Sequence, residues 1–241
     1  MEPYKSLQFP DFIPKTPLTG DYASLTNKEA KAFFAWFLEV MPKRIEYMLS
    51  VCSAETGTSI HELRVFPDGF LPIWKWFRTK QTLRNSTVEE LNDMEQKFGY
   101  LGESWVPKRI LDDATEKLHF DIGMFLGDQF VRHYPDDLRW DYCVKPKNYI
   151  FVKAPCIWGF KKYINKHGDI DSNLVEPVHL VGSESRQIFR DEMTDDALLN
   201  WLDVSCGTSI LLKQRKLLNH SNFSKMPLLG ADGSGYRRIP A

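Results

Sequence analysis

Long apolar runs are missing from this 241-residue sequence. A bilayer-spanning helix needs roughly 18 or more, but the richest stretch, Ala30 to Met41, is broken by Lys31 and Glu39 and stops at Pro42. No membrane partner is therefore expected. The opening MEPYKSLQFPDFIPKTP carries prolines where a secretory leader needs a continuous apolar core, so no leader is expected either. An excess of one charge is also missing. Basic side chains number 31 against 32 acidic, a net charge of −1, whereas a dedicated nucleic-acid-binding domain is as a rule strongly basic. The cysteines Cys52, Cys143, Cys156 and Cys206 stand far apart, with no CxxC and no Cys/His grouping. That spacing argues against a zinc site or a redox motif and fits reduced thiols in a cytoplasmic protein.

Apolar and aromatic side chains are plentiful. They make up 43% and 13% of the chain, enough to fill a sizeable core and to exclude global disorder. Prolines 3, 10, 14 and 17 mark residues 1–25 as an extended arm that wraps the body. Thr26 with Glu29 forms a capping box, opening a helix with Ala30, Phe33, Phe34, Phe37, Leu38 and Met41 at helical spacing. Pro42 suits a break and a restart, with a second helix over Lys43–Val51. Gly57 marks a turn, and His61–Phe66 reads as a short strand or more helix. Phe70–Phe77 reads as a helix with Phe70, Trp74 and Phe77 on one face. Thr87 with Glu90 caps another helix, which Gly99 terminates.

The strongest periodicity lies over Leu111–His133. Leu111, Ala114, Leu118, Ile122, Phe125, Leu126 and Phe130 form one apolar face, while Phe120, Gly123, Met124, Gly127 and Val131 form another. Only Lys117, Asp121, Asp128 and Arg132 make a narrow polar stripe. A helix apolar nearly all round is buried between layers, and Gly123 and Gly127 offer a groove for close approach. The pattern then changes to strands at Leu138–Val144, Tyr149–Lys153 and Cys156–Phe160, with a further one expected at Val178–Val181. Helices are expected at Asp195–Val204 and Ile210–Leu218. The result is an α+β fold in a single domain, 1–241. It has a helical N-terminal half around a buried central helix, a small mostly antiparallel sheet and C-terminal helices, ending in a loosely held tail over 219–241.

Few residues invite chemistry. Asp121 and Asp128 project from one helix face about 10.5 Å apart at 1.5 Å rise per residue, too far to share one metal ion unaided. Lys117 and Arg132, four residues from each, are the expected ion-pair partners. His119 lies close in sequence, but zinc needs three or four convergent ligands. Gly182-Ser183-Glu184-Ser185 lacks the second glycine of a nucleophile elbow, and the glycines of 230–235 lack the lysine of a phosphate loop. No metal and no cofactor are expected. Charge is segregated along the chain: Tyr142–Gly168 holds Lys145, Lys147, Lys153, Lys161, Lys162 and Lys166 with no acid, and Asp169–Asp203 holds nine acids against two arginines. Such runs either neutralise one another in the fold or face partners.

Four stretches, LTNKEAKAFFAWFLEVMPKRIEYM (Leu25–Met48), GFLPIWKWF (Gly69–Phe77), DIGMFLGDQFVR (Asp121–Arg132) and the run Pro146–Phe160, resemble an uncharacterised family of bacterial cytosolic proteins sometimes associated with toxin–immunity loci. The resemblance covers about two thirds of the chain and implies Glu in relatives where this chain has Asp128. It implies a fold and brings no activity with it. From the residues and the resemblance together, the leading expectation is a non-enzymatic protein-binding protein of the immunity type, neutralising a bacterial toxin through the basic run. The rival is a hydrolase or transferase with a non-standard site around Asp121, Asp128 and His119. Nucleic-acid binding through Trp74, Lys75, Trp76, Arg78, Lys80 and Arg84, aromatic and basic side chains interleaved, ranks behind both.

Overall fold

A computed structural model describes residues 4–5, 8–11, 22–101, 106, 108–144, 152–160 and 174–185. Its first helix, α1 (Asn27–Thr56), begins at the expected capping box: Thr26 accepts from the Glu29 amide and Glu29 returns a carboxylate to the Thr26 amide. Pro42 does not split it. The prolyl nitrogen lies on the exposed side, while Phe33, Phe37, Met41, Ile45, Met48 and Cys52 continue one buried row through it. Burial of that row offsets the lost amide bond, so one 30-residue helix replaces the two expected. Gly57 at φ +75° closes it, a conformation that favours glycine.

A short helix, α2 (Ile60–Leu63), follows on a capping box formed by Ser59 and Glu62. Helix α3 (Phe70–Lys80) covers the expected Phe70–Phe77 and buries Phe70, Ile73, Trp74, Trp76 and Phe77. Strands β1 (Leu83–Asn85) and β2 (Arg109–Leu111) then pair antiparallel, Leu83 opposite Leu111. Between them rises α4 (Val88–Phe98) on the Thr87–Glu90 capping box. Leu111 therefore belongs to a strand, and the central helix α5 (Asp113–His133) starts two residues later with Asp112 as its cap.

Every residue of α5 from Leu118 to Phe130 is buried. Aromatic contacts show what surrounds it: Phe120 meets Phe33 and Phe37 of α1, Phe125 meets Phe70 of α3, and Phe130 meets Phe66 and Phe160. The remaining side is covered by a three-stranded antiparallel sheet, β3 (Arg139–Tyr142), β4 (Pro155–Trp158) and β5 (Leu174–Val175), and by α6 (Pro177–Ser185). Val178–Val181 is thus helix rather than strand; Glu176 caps it, and Pro177 suits a first helical turn. Val152 and Lys153 of the expected strand Tyr149–Lys153 lie in a turn. The helices expected at Asp195–Val204 and Ile210–Leu218, and the tail 219–241, lie outside the described residues. The order of helices, a small sheet and a further helix is the α+β architecture expected, with a helical N-terminal half and a buried central helix.

Both glycines of α5 are sites of close approach. A Cβ at Gly123 would come within 2.6 Å of the Val178 Cα, and one at Gly127 within 2.2 Å of the Trp140 indole. The first contact is with the backbone of α6, and the second is with a ring wedged edge-on against Phe37 at 4.9 Å. Neither neighbour is a flexible side-chain end that can step aside. Gly123→Ala and Gly127→Ala are each expected to destabilise by about 1–3 kcal/mol or more, seen as a fall of several degrees in Tm. A melt unchanged by either substitution would show that α5 is not packed as described.

Candidate functional site

Asp121 is fully buried, and its partner is not Lys117. Arg44, from the middle of α1, donates from Nε to Oδ1 at 2.9 Å and from Nη2 to Oδ2 at 2.5 Å. The Tyr4 hydroxyl of the N-terminal segment adds a third donor to Oδ2 at 2.7 Å. A fork of two nitrogens on one carboxylate is the strong form of this pair. The guanidinium also lies 5.6 Å from the Tyr4 ring centre and 5.0 Å from that of Tyr47. Burial pushes the Asp121 carboxyl up from its ordinary pKa, and the bonds from Arg44 and Tyr4 pull it back. Desolvation works against the Arg44 charge, yet the carboxylate holds its pKa above the usual value. Tyr4 is raised by its burial first and by Asp121 second, so its hydroxyl remains a donor.

The other two candidates point elsewhere. Asp128 accepts from Arg132 Nε at 2.6 Å, the expected pairing four residues apart, at a rim where the arginine side chain is 63% exposed. His119 is fully buried with Phe77 edge-on at 5.0 Å. Two residues along a helix turn it about 200° away from Asp121, toward α3 rather than α1. Asp121, Asp128 and His119 therefore do not converge. Among the described residues no group of three or more His, Cys, Asp or Glu side chains could hold a metal ion. The two tryptophans of the Trp–Lys row fold inward: Trp74 and Trp76 are buried and Trp76 donates to Glu55 at 2.6 Å, while Lys80 pairs with Glu55 and Arg84 with Glu90.

Of the basic run, Lys153 is described. At φ +68° in the β3–β4 connection, it sends its ammonium to the carbonyls of Ala23 and Leu25, tying the chain before α1 to the sheet. Lys145, Lys147, Lys161, Lys162 and Lys166 lie outside the described residues. No helix among those described is long and apolar enough to cross a membrane.

A second cluster had no signal in the sequence beyond one acid among nine. Glu176 is buried against the start of α6, where its carboxylate accepts from the amides of Val178 and His179. Burial pushes its pKa up to about 8, only partly offset by those bonds. Cys143 and Cys156 lie buried together beside it, and burial raises the Cys156 thiol well above its ordinary value. The buried Tyr22 hydroxyl, also raised by burial and then by Glu176, has no hydrogen-bond partner among the described residues. A thiolate is the nucleophile in cysteine chemistry, and this environment keeps the Cys156 proton in place. Arg44 did leave a signal: it sits three residues after Met41 and four before Met48, on the edge of the buried row of α1. Compared with protein-family models, curated proteins and solved structures, the chain matches none.

The buried acid makes stability depend on pH. Glu176 in the unfolded chain titrates near 4.5, and in the fold near 8. Between those values the folded state holds a proton that the unfolded state has released, so rising pH favours unfolding through this group. The slope for one such group is at most about 1.4 kcal/mol per pH unit. Glu176→Gln removes it, so the Tm of the variant relative to the parent should climb between pH 5 and pH 8. A constant difference across that range would place Glu176 in water.

Proposed function

We propose that this chain is a non-enzymatic protein-binding protein, and more narrowly an immunity protein that neutralises a bacterial toxin. One observation carries the reading against the enzyme alternative: the two acids best placed for chemistry lie about two turns apart along α5, each already held in its own ion pair. Asp121 is fixed by Arg44 and Tyr4, Asp128 by Arg132, and His119 is buried edge-on to Phe77 in the core. A general acid or base must reach a substrate proton, and a carboxylate with no exposed surface and three donors has no such access. An inhibitor that works by occlusion needs only a complementary surface.

The lysine run supplies the candidate surface. In the sequence Lys145 and Lys147 fall between Tyr142 and Pro155, and Lys161, Lys162 and Lys166 between Trp158 and Leu174, with no acid from Tyr142 to Gly168. Lys153 has an internal role, so the proposed contact rests on the other five. The narrower immunity reading draws on the family resemblance in the sequence.

Two variants test the reading side by side. Lys161→Glu with Lys162→Glu should weaken co-purification with the product of the neighbouring gene, mainly through a slower on-rate and a flatter dependence on salt. Asp128→Asn, which loosens only a rim pair, should leave association and cell protection within about twofold of the parent. Loss of function in Asp128→Asn with the lysine pair silent, both proteins folded, would promote the enzyme reading instead.

A further inference from the structure

The described parts of the N-terminal arm sit on the body by two aromatic side chains and one amide. Tyr4 lies against Tyr47 at 5.1 Å and Trp76 at 6.3 Å between ring centres, with its hydroxyl on Asp121. The next residue's amide, of Lys5, donates to the Tyr47 hydroxyl at 2.7 Å. Five residues beyond Tyr4, Phe9 stands edge-on to Phe120 at 5.0 Å and packs on Trp36 at 5.6 Å. The body thus presents two aromatic sockets and a backbone acceptor, built wholly from α1, α3 and α5. Side-chain pockets joined by main-chain bonds are how extended peptides are recognised.

The body also tolerates an empty first socket. With Tyr4 removed, Asp121 keeps both bonds from Arg44, and the Arg44 side chain is 15% exposed even with the arm in place. Water can therefore replace the tyrosine hydroxyl without stranding a bare charge in the core, which would be far more costly.

We propose that the groove formed by Arg44, Tyr47, Trp76, Asp121, Trp36 and Phe120 is a peptide-binding site that the chain's own arm fills, and that it takes an extended partner segment bearing tyrosine and phenylalanine five residues apart. The tyrosine hydroxyl donates to the Asp121 carboxylate, so tyrosine is preferred over phenylalanine at the first socket. The arm acts as a tethered competitor at an effective concentration on the order of millimolar, and a partner displaces it only by adding contacts beyond the two sockets. The groove uses none of the lysines of the basic run, so its failure leaves the function proposed above to its own test.

The probe is a fluorescein-labelled peptide of residues 1–12, MEPYKSLQFPDF, titrated into the full-length chain carrying Tyr4→Ala and Phe9→Ala. Saturable binding is expected, at least tenfold tighter than to the parent chain, whose own arm competes. A peptide with its tyrosine replaced by phenylalanine should bind about tenfold more weakly, because it loses a bond to a charged acceptor. Equal binding to both chains, no binding up to millimolar peptide, indifference to the tyrosine hydroxyl, or concentration-dependent dimers formed by exchange of arms would each overturn the assignment. Should the double variant fail to fold, hydrogen exchange on the parent decides. The Lys5 amide should exchange at least a hundredfold faster than the amides of α5, and equal protection would make the arm an integral part of the core.

Discussion

A single carboxylate on an otherwise apolar helix sets the terms for its neighbours. Asp121 sits in the middle of α5, where the chain is buried over thirteen consecutive residues, Leu118 to Phe130. An unpaired charge there would be prohibitive, so a cation has to reach it from another element. Arg44 does so from the centre of α1, and its two-nitrogen fork fixes both the azimuth and the axial register of α1 against α5. With that register set, Phe33 and Phe37 meet Phe120, and the surface that seats Tyr4 and Phe9 is formed. A buried pair of this kind is weak evidence for stability but a good device for specifying one arrangement.

The opposite side of α5 is governed by the absence of side chains. Gly123 lets the backbone of α6 approach, and Gly127 leaves room for the Trp140 ring. Approach there brings Glu176, at the head of α6, into a dry environment beside Cys143 and Cys156. Burial keeps that carboxyl and the Cys156 thiol protonated, and Asp121 is claimed by Arg44. Among the described residues the interior titratable groups are thus taken up by burial or by internal pairing.

What could be read from the sequence was local or periodic. Capping boxes at Thr26–Glu29 and Thr87–Glu90 depend on residues three apart, and both are present. The all-round apolarity of α5 announced its burial. Features set by distant partners were not legible. Nothing near Asp121 in sequence shows that Arg44, 77 residues away, displaces Lys117 as its partner. Strands β1 and β2 are three residues each, too short for an alternation to register, and they exist only because they pair. Pro42 has the local chemistry of a break, overridden by the apolar row that continues on the buried side of α1. Glu176 resembled any surface acid until α6 placed it against the sheet.

The central claim is that Arg44 and Asp121 act as one unit, and a double-mutant cycle in chemical denaturation measures it most directly. Arg44→Met and Asp121→Asn should each destabilise by on the order of 3 kcal/mol, because each leaves one partner buried without the other. The double variant should be well short of their sum, with a coupling of about 2 kcal/mol or more. Small effects that simply add would mean that the two side chains do not depend on one another, and that the register of α1 against α5 is set by apolar packing alone.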